Sequence, residues 1–418
     1  MSTVGNKVKI KYFGSEYEGI ILESSDKNMH LLKLINGYNV GLPKKGSKVE
    51  VLGKSRIGLK SDFAPLSKNK LLPNVALIST GGTIVSRVDY KTGAVHPMTK
   101  PRELLGKIPE LKKIANISVS APMSIFSEEM NQEHWSKIAG FVARELNKDD
   151  VRGVVVTHGT DTLHYTAAAL SFALEGLSKP VAIVGGQRSS DRGSFDGGMN
   201  LICGVHYATS DIAEVATVLH GTSSDDYCIA NRGTKVKKLH TSKRDAFRPI
   251  NTVPLAKIYL NGKLEKHSKC KLRHSGKIKV KSKFENKVAL IKYYPGMSPD
   301  ILKCYEDYKG IIIEGTGLGH VATTTWLEPI TNLIKKGIFV GMTSQANYGR
   351  VDPYVYSTGR SLSNHGVVYL EDMLSETAYV KLSWVFGQTN NLEKVRHLMV
   401  SNLRGEYSEK SHPNAFLY

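Results

Sequence analysis

From residue 74 onward the chain repeats one pattern: a short apolar run rich in β-branched residues, a loop rich in Gly and Thr, then a segment with helical spacing. VALIST runs into GGT, VRGVVVTHGTDT leads into the helical LHYTAAALSFALEGL, and KPVAIVGGQRSS repeats strand and loop. In EHWSKIAGFVARELN the residues Trp135, Ile138, Phe141, Val142 and Leu146 fall on one helical face. From residue 288 the pattern resumes with VALIKYY, GIIIEGTG and GIFVGMTS, and helices are expected near 298–307, 322–336 and 390–402. Strands buried on both faces and joined by crossover helices assemble as parallel sheets, so the expected class is α/β. Sheets of this kind gather their chemistry in loops beyond the carboxyl ends of the strands. The polar loops STGGT, THGTDT and GGQRSSDR all stand at such ends.

The first fifty residues read differently. VKIKYFG, YEGIILES, NMHLLKLI, YNVGL and KVEVLG are short, alternate in polarity and are separated by Gly, Asn and Pro, which predicts a small β-barrel. The organisation expected is a barrel over 1–60, a linker over 61–73, an α/β unit over 74–255, a basic β-hairpin and connection over 256–287, and a second α/β unit over 288–418.

Charge is unevenly placed. The net charge is +19, and residues 232–292 hold 19 Lys and Arg against three acids, Asp245, Glu265 and Glu285. Residues 1–70 hold 13 against six, and the remainder is slightly acidic. Basic stretches can grip a phosphate backbone, or simply solvate a surface. KIKVKSKF is a half-lysine strand, so one face must be wet or bound. No apolar run reaches the ~18 residues of a membrane span, and MSTVGNKVKIKYFG has no apolar leader core. Cys203, Cys228, Cys270 and Cys304 are far apart with no CxxC, which gives no zinc site or disulfide framework. A cytoplasmic protein is expected.

The loops narrow the chemistry. GxxxxGK[ST], GxSxG and HExxH are absent. GTGLGH has His320 where a dinucleotide loop needs glycine, which favours a tight turn. In Thr80-Gly81-Gly82-Thr83, paired glycines let backbone amides approach a ligand beside a hydroxyl. The loop Thr157–Thr162 offers a second hydroxyl and a carboxylate. A Thr hydroxyl attacks only when a base takes its proton, and a lysine kept neutral by burial could be that base. His158, His164 and His320 read as structural hydrogen-bonders.

ALISTGGTI (76–84) and VVVTHGTDTL (154–163) resemble the two signature segments of the asparaginase/glutaminase amidohydrolases, over residue 74 to the C-terminus. GGQRSSDRGSFDGGMNL, KKLHTSKRDAF, YGRVDPYVYSTGR and EDMLSETAYVKLSW, with the extra N-terminal segment, resemble more closely the glutaminase subunits of archaeal tRNA-dependent amidotransferases. The resemblance implies an asparaginase-like two-domain fold with parallel sheets, 74–255 being the catalytic domain. It implies Thr83 as nucleophile, Thr160 and Asp161 as second catalytic Thr and catalytic Asp, and Lys238, in Lys-x-His-Thr, as catalytic lysine, with Lys237 the alternative. Ser127 and Glu128 match substrate-binding positions, Glu128 standing where asparaginases often have Gln, and Tyr90 matches a lid tyrosine. It implies glutamine hydrolysis to ammonia with no metal or organic cofactor in this chain. ATP and Mg would be used by a partner, the E-type subunit of the amidotransferase, with a homodimer of this chain inside a heterotetramer that binds tRNA(Gln). The alternatives are a free-standing cytoplasmic L-asparaginase and a catalytically silent RNA-binding scaffold.

Overall fold

The computed structural model describes residues 4–24, 26–34, 39–54, 69–82, 86–88, 95–97, 108–188, 194–411 and 413–416. The N-terminal strands β1 (Asn6–Tyr12), β2 (Ser15–Leu22), β3 (Met29–Leu34), β4 (Asn39–Pro43) and β5 (Lys48–Lys54) form one antiparallel sheet in the order β4-β3-β2-β1-β5. Alternation sends Val8 and Ile10 inward against Ile21, Leu32 and Leu42. It leaves Lys7 and Lys11 outside, each ion-paired across the strands to Glu18 and Glu16. The expected closed barrel is corrected here. A turn closed by Ser47 N donating to Lys44 O leads from β4 to β5, but among the described residues no ladder joins β4 to β5. β5 sends only Val49 against the core while Val51 and Leu52 stay exposed, so closure would bury little more apolar surface.

The second sheet has eight strands. Asn116–Ser120, Asn74–Ser79, Val151–Thr157, Val181–Val184 and Val215–His220 run parallel in that order. Cys228–Arg232, Ala256–Ile258 and Leu264–Lys266 then extend it antiparallel. The last two form a hairpin turned at Asn261 and Gly262, where Lys263 N donates to Asn261 Oδ1. Helix Gln132–Leu146 is capped by Asn131, whose side chain accepts from Glu133 N and His134 N, a cap that stabilises by about 1 kcal/mol. It lays Ile138, Val142 and Leu146 on one face of the sheet.

Val288–Lys292, Gly310–Gly315, Phe339–Ser344 and Val368–Tyr369 form a four-stranded parallel sheet. Helix Leu163–Ala173 joins the two units. Leu163, Ala167 and Leu170 pack into the first core, while Ala168 and Phe172 enter the second, Phe172 stacking on Trp384 at 5.7 Å. The helix expected near 298–307 is a 3-10 segment, Pro299–Tyr305. Three helices escaped the periodicity reading: Gly197–Thr209, Ser357–Asn364 and Ser375–Gln388. The first and last are buried almost all round, so neither displays an amphipathic stripe.

Of KIKVKSKF, only Lys279–Val280 is a strand. The rest is an extended strap held by backbone bonds: Lys281 N donates to Ala173 O, and Trp384 Nε1 to Lys281 O. Lys279, Lys281 and Lys283 are all exposed. No helix among the described residues is long and apolar enough to cross a membrane.

Candidate active site

Strand Asn74–Ser79 has Asn116–Ser120 on one side and Val151–Thr157 on the other. The chain therefore leaves it toward one neighbour and returns to the other, a topological switch point where a crevice opens. Two loops rise there. Thr80 N and Thr80 Oγ1 both donate to Thr157 O, at 3.1 and 2.9 Å, and tie the loops at their roots. Gly82 has φ +84°, and a Cβ there would stand 2.4 Å from Gly159 N. A Cβ on Gly159 would meet Ser127 Cβ at 2.7 Å. Glycine is thus required twice to bring three backbones into contact.

Lys238 comes from a different part of the chain, the short strand Val236–Lys238. Its Nζ donates to Thr160 Oγ1 at 2.8 Å and to Asp161 Oδ1 at 2.7 Å. Strand alternation explains why Lys238 reaches these groups and Lys237 does not. Val236, on the face of Lys238, packs in the core under these two loops. Lys235 and Lys237 face the other way, toward the C-terminal unit. Lys235 Nζ lies 2.6 Å from Asp372 Oδ2 with both side chains buried, and Lys237 Nζ lies 2.8 Å from Glu376 Oε1. The segment is clamped on one face and presents one lysine on the other.

Thr160 Oγ1 also donates to Gln187 Oε1 at 3.4 Å. Gln187 and Arg188 donate their backbone N–H groups to the fully buried carboxylate of Asp196. His158 is structural: Nδ1 faces Gly159 O at 2.7 Å and Nε2 faces Thr166 Oγ1 at 2.9 Å. Burial pushes the His158 and His164 imidazoles down to about 4, which keeps both neutral.

The structure thus brings together Thr160, Asp161 and Lys238. Ser127 is buried beside them, its carbonyl accepting from Thr162 Oγ1 at 2.6 Å. Glu128, on the same turn, is exposed and has no polar partner among the described residues. Thr83 and Tyr90 lie outside the described residues. Sequence reasoning missed Gln187, Asp196, Asp372 and Glu376 as neighbours of the site. The signal available was the run Lys235-Val236-Lys237-Lys238, whose alternation requires acids on a second surface.

Fold and loops define an asparaginase-type amidohydrolase architecture. The chain matches the family models for the N-terminal asparaginase domain over residues 74–271 and the glutaminase/asparaginase C-terminal domain over 287–399. It also matches the GatD N-terminal domain over 2–52. The D-type glutamyl-tRNA(Gln) amidotransferase subunit of Pyrococcus abyssi is 51% identical over 96% of this chain and 93% of its own. That of Thermococcus kodakarensis is 48% identical over 99% and 96%. Among solved structures, the thermostable L-asparaginase from Thermococcus kodakarensis aligns with a TM-score of 0.74 at 27% identity, over 81% of this chain and 100% of that one. The chain belongs to the GatD family of glutamyl-tRNA(Gln) amidotransferase subunits.

Proposed function

We propose that this chain is the glutaminase component of a tRNA-dependent amidotransferase, releasing ammonia from glutamine to convert Glu-tRNA(Gln) into Gln-tRNA(Gln). The observation that carries the reading is Lys238 Nζ held between Thr160 Oγ1 and Asp161 Oδ1 at 2.8 and 2.7 Å. In this reading Thr83 attacks the carboxamide carbon, the C–N bond breaks, and ammonia leaves with the proton of the attacking hydroxyl. Water then cleaves the ester, releasing glutamate and restoring Thr83. Lys238 exchanges a proton with the Thr160 hydroxyl, and that hydroxyl polarises the attacking group or water. Backbone amides near Gly82 and Thr160 receive the oxyanion. Asp161 is largely exposed, and its Oδ2 has no partner among the described residues. It suits a substrate α-ammonium, with Ser127, Glu128 and Tyr90 completing the pocket.

The chemistry needs no metal or organic cofactor in this chain. ATP and Mg are used by the partner, the E-type subunit of the amidotransferase, and the assembly is a homodimer of this chain within a heterotetramer, in the cytoplasm. The test is ammonia release from glutamine and asparagine by the chain alone, then with that partner, ATP and Glu-tRNA(Gln). Glutamine turnover that rises with partner and charged tRNA supports the reading. Strong asparagine turnover by the lone chain, indifferent to both, overturns it in favour of a free-standing L-asparaginase.

A further inference from the structure

At the amino ends of the first sheet's parallel strands, away from the catalytic loops, a cavity of about 370 Å³ opens between the two units. That size is at the lower end of small-molecule sites, about 300–1,000 Å³. Five separate stretches of chain build it, one of them Arg232 at the end of strand Cys228–Arg232. Another is the end of helix Leu163–Ala173 and the turn after it, and a third is the approach to strand Val215–His220. The others are the Lys269–Lys271 loop and the Arg404-Gly405 pair of the C-terminal segment. Gly405, at φ +75°, lies against the Arg232 side chain, where a Cβ would come within 2.8 Å of Cδ.

The charges in this cavity do not balance. Glu214 is the single carboxylate lining it, and it is fully committed. It accepts from Arg232 Nε and Nη2 at 2.7 and 3.0 Å and from Lys271 N at 2.9 Å. Lys269, Lys271 and Arg404 also line the cavity, and the carboxylates that act on Arg404, Glu406 and Glu175, are already paired with Lys381 and Lys281. Arg404 is fixed by carbonyls alone, with Nε donating to Ser171 O and Nη1 to Leu403 O. That leaves Nη2 without a protein partner among the described residues. Burial lowers the Arg404 pKa against the opposing pull of Glu406 and Glu175, so a further anion at Nη2 would relieve the remaining cost. Burial also raises the Cys270 thiol in the same wall, which argues against thiolate chemistry.

We infer that this cavity is a phosphate-binding site, built around Arg404, Lys269 and Lys271, for a phosphate ester. A guanidinium with one unpaired nitrogen, in a wall that also carries two lysines, supplies donors suited to phosphate oxygens. The ester is either one phosphate of an RNA backbone or a free phosphorylated molecule. The inference does not depend on the glutaminase reading, since the cavity lies outside the catalytic loops.

The experiment uses the full chain and inorganic phosphate as probe, with sodium chloride at matched ionic strength. Thermal unfolding and phosphorus NMR line-broadening report binding. Lys269 and Lys271 are exposed, so the double variant K269Q/K271Q should fold. Arg404→Gln serves as the second variant. The expected result is saturable stabilisation by phosphate beyond chloride, weakened at least tenfold in either variant. Equal effects of phosphate and chloride, or phosphate binding unchanged in both variants, overturn the site. Affinity of the assembled complex for tRNA separates the sources. If it falls in K269Q/K271Q with a shallower salt dependence, the phosphate belongs to RNA. If phosphate binding is lost and tRNA affinity holds, the ligand is a free phosphorylated molecule.

Discussion

The two large sheets both end in glycine-rich polar loops, and the loops behave in opposite ways. In the first sheet, Thr160 and Asp161 leave their polar atoms for a lysine imported from residue 238. In the second, the backbone of the corresponding loop satisfies itself. Thr316 N donates to His320 O and His320 N to Thr316 O, both at 2.9 Å, Ser344 Oγ donates to Gly317 O, and Tyr369 OH to Gly319 O. The second unit instead exports acids, Asp372 and Glu376, which hold Lys235 and Lys237 behind Lys238. A strand's carboxyl end provides space for chemistry. Reactivity also requires a charge from elsewhere that the loop has not already neutralised.

The sharpest way to break this comparison is to remove the imported charge. Lys238→Met and Thr160→Val are each expected to lower ammonia release by about 10³-fold or more, within the range of lost proton-transfer catalysis. Far-ultraviolet circular dichroism should stay unchanged, since the Lys238 ammonium meets only the loop groups. A loss below tenfold in both would remove Lys238 and Thr160 from the chemistry.

Next in size is the exported acid. Asp372→Ala strands Lys235, whose side chain is 1% exposed, without its counterion. Loss of one partner from a buried pair costs about 3–5 kcal/mol, to be read by urea unfolding. Lys237 is 21% exposed, so Glu376→Gln should cost less, about 1–2 kcal/mol. Its more telling effect is on kcat, because it loosens the strand that aims Lys238. Equal destabilisation by the two variants would contradict the burial difference.

Proton linkage tests two buried histidines of the first unit. His158 and His164 sit at about 4 in the folded chain, against about 6.5 when unfolded. Below pH 6.5 the unfolded chain binds protons that the folded chain refuses, so stability is complete above 6.5 and falls as pH drops toward 4. By pH 5 the loss should reach about 2 kcal/mol per histidine, before most carboxylates titrate. Unfolding free energies at pH 7, 6 and 5 check this. A flat profile would mean the imidazoles are not kept neutral by burial.

Much of this was legible in the sequence because the physics was local. The strands of both parallel sheets announce themselves as β-branched runs, and their glycine-threonine loops mark the switch point. Three kinds of feature were not legible. Helix Ser375–Gln388 is enclosed on every side, so nothing in its pattern distinguishes it from a buried strand. Closure of the N-terminal sheet depends on what β5 can bury, which alternation alone does not reveal. The pairing of Lys235 with Asp372 spans 137 positions and follows from how two cores dock, with helix Leu163–Ala173 between them. Lys238 was singled out by its motif, and its face of the strand explains why that residue, and not Lys237, reaches Thr160.

The smallest effect probes the self-satisfied loop. Ser344 Oγ donates to Gly317 O at 2.6 Å and accepts from Ala346 N at 3.0 Å. Its residue is part-exposed, so water can replace much of what Ser344→Ala removes. The expected cost is about 1 kcal/mol in urea unfolding, with ammonia release within about twofold of wild type. Thr160→Val also deletes one hydroxyl at the carboxyl end of a parallel strand, yet it should abolish nearly all turnover. The contrast isolates the lysine, since the two positions share their place in the sheet and differ in whether a cation is aimed at the oxygen. If Ser344→Ala cost as much activity as Thr160→Val, the second sheet's loops would take part in the reaction and the division between the two units would be wrong.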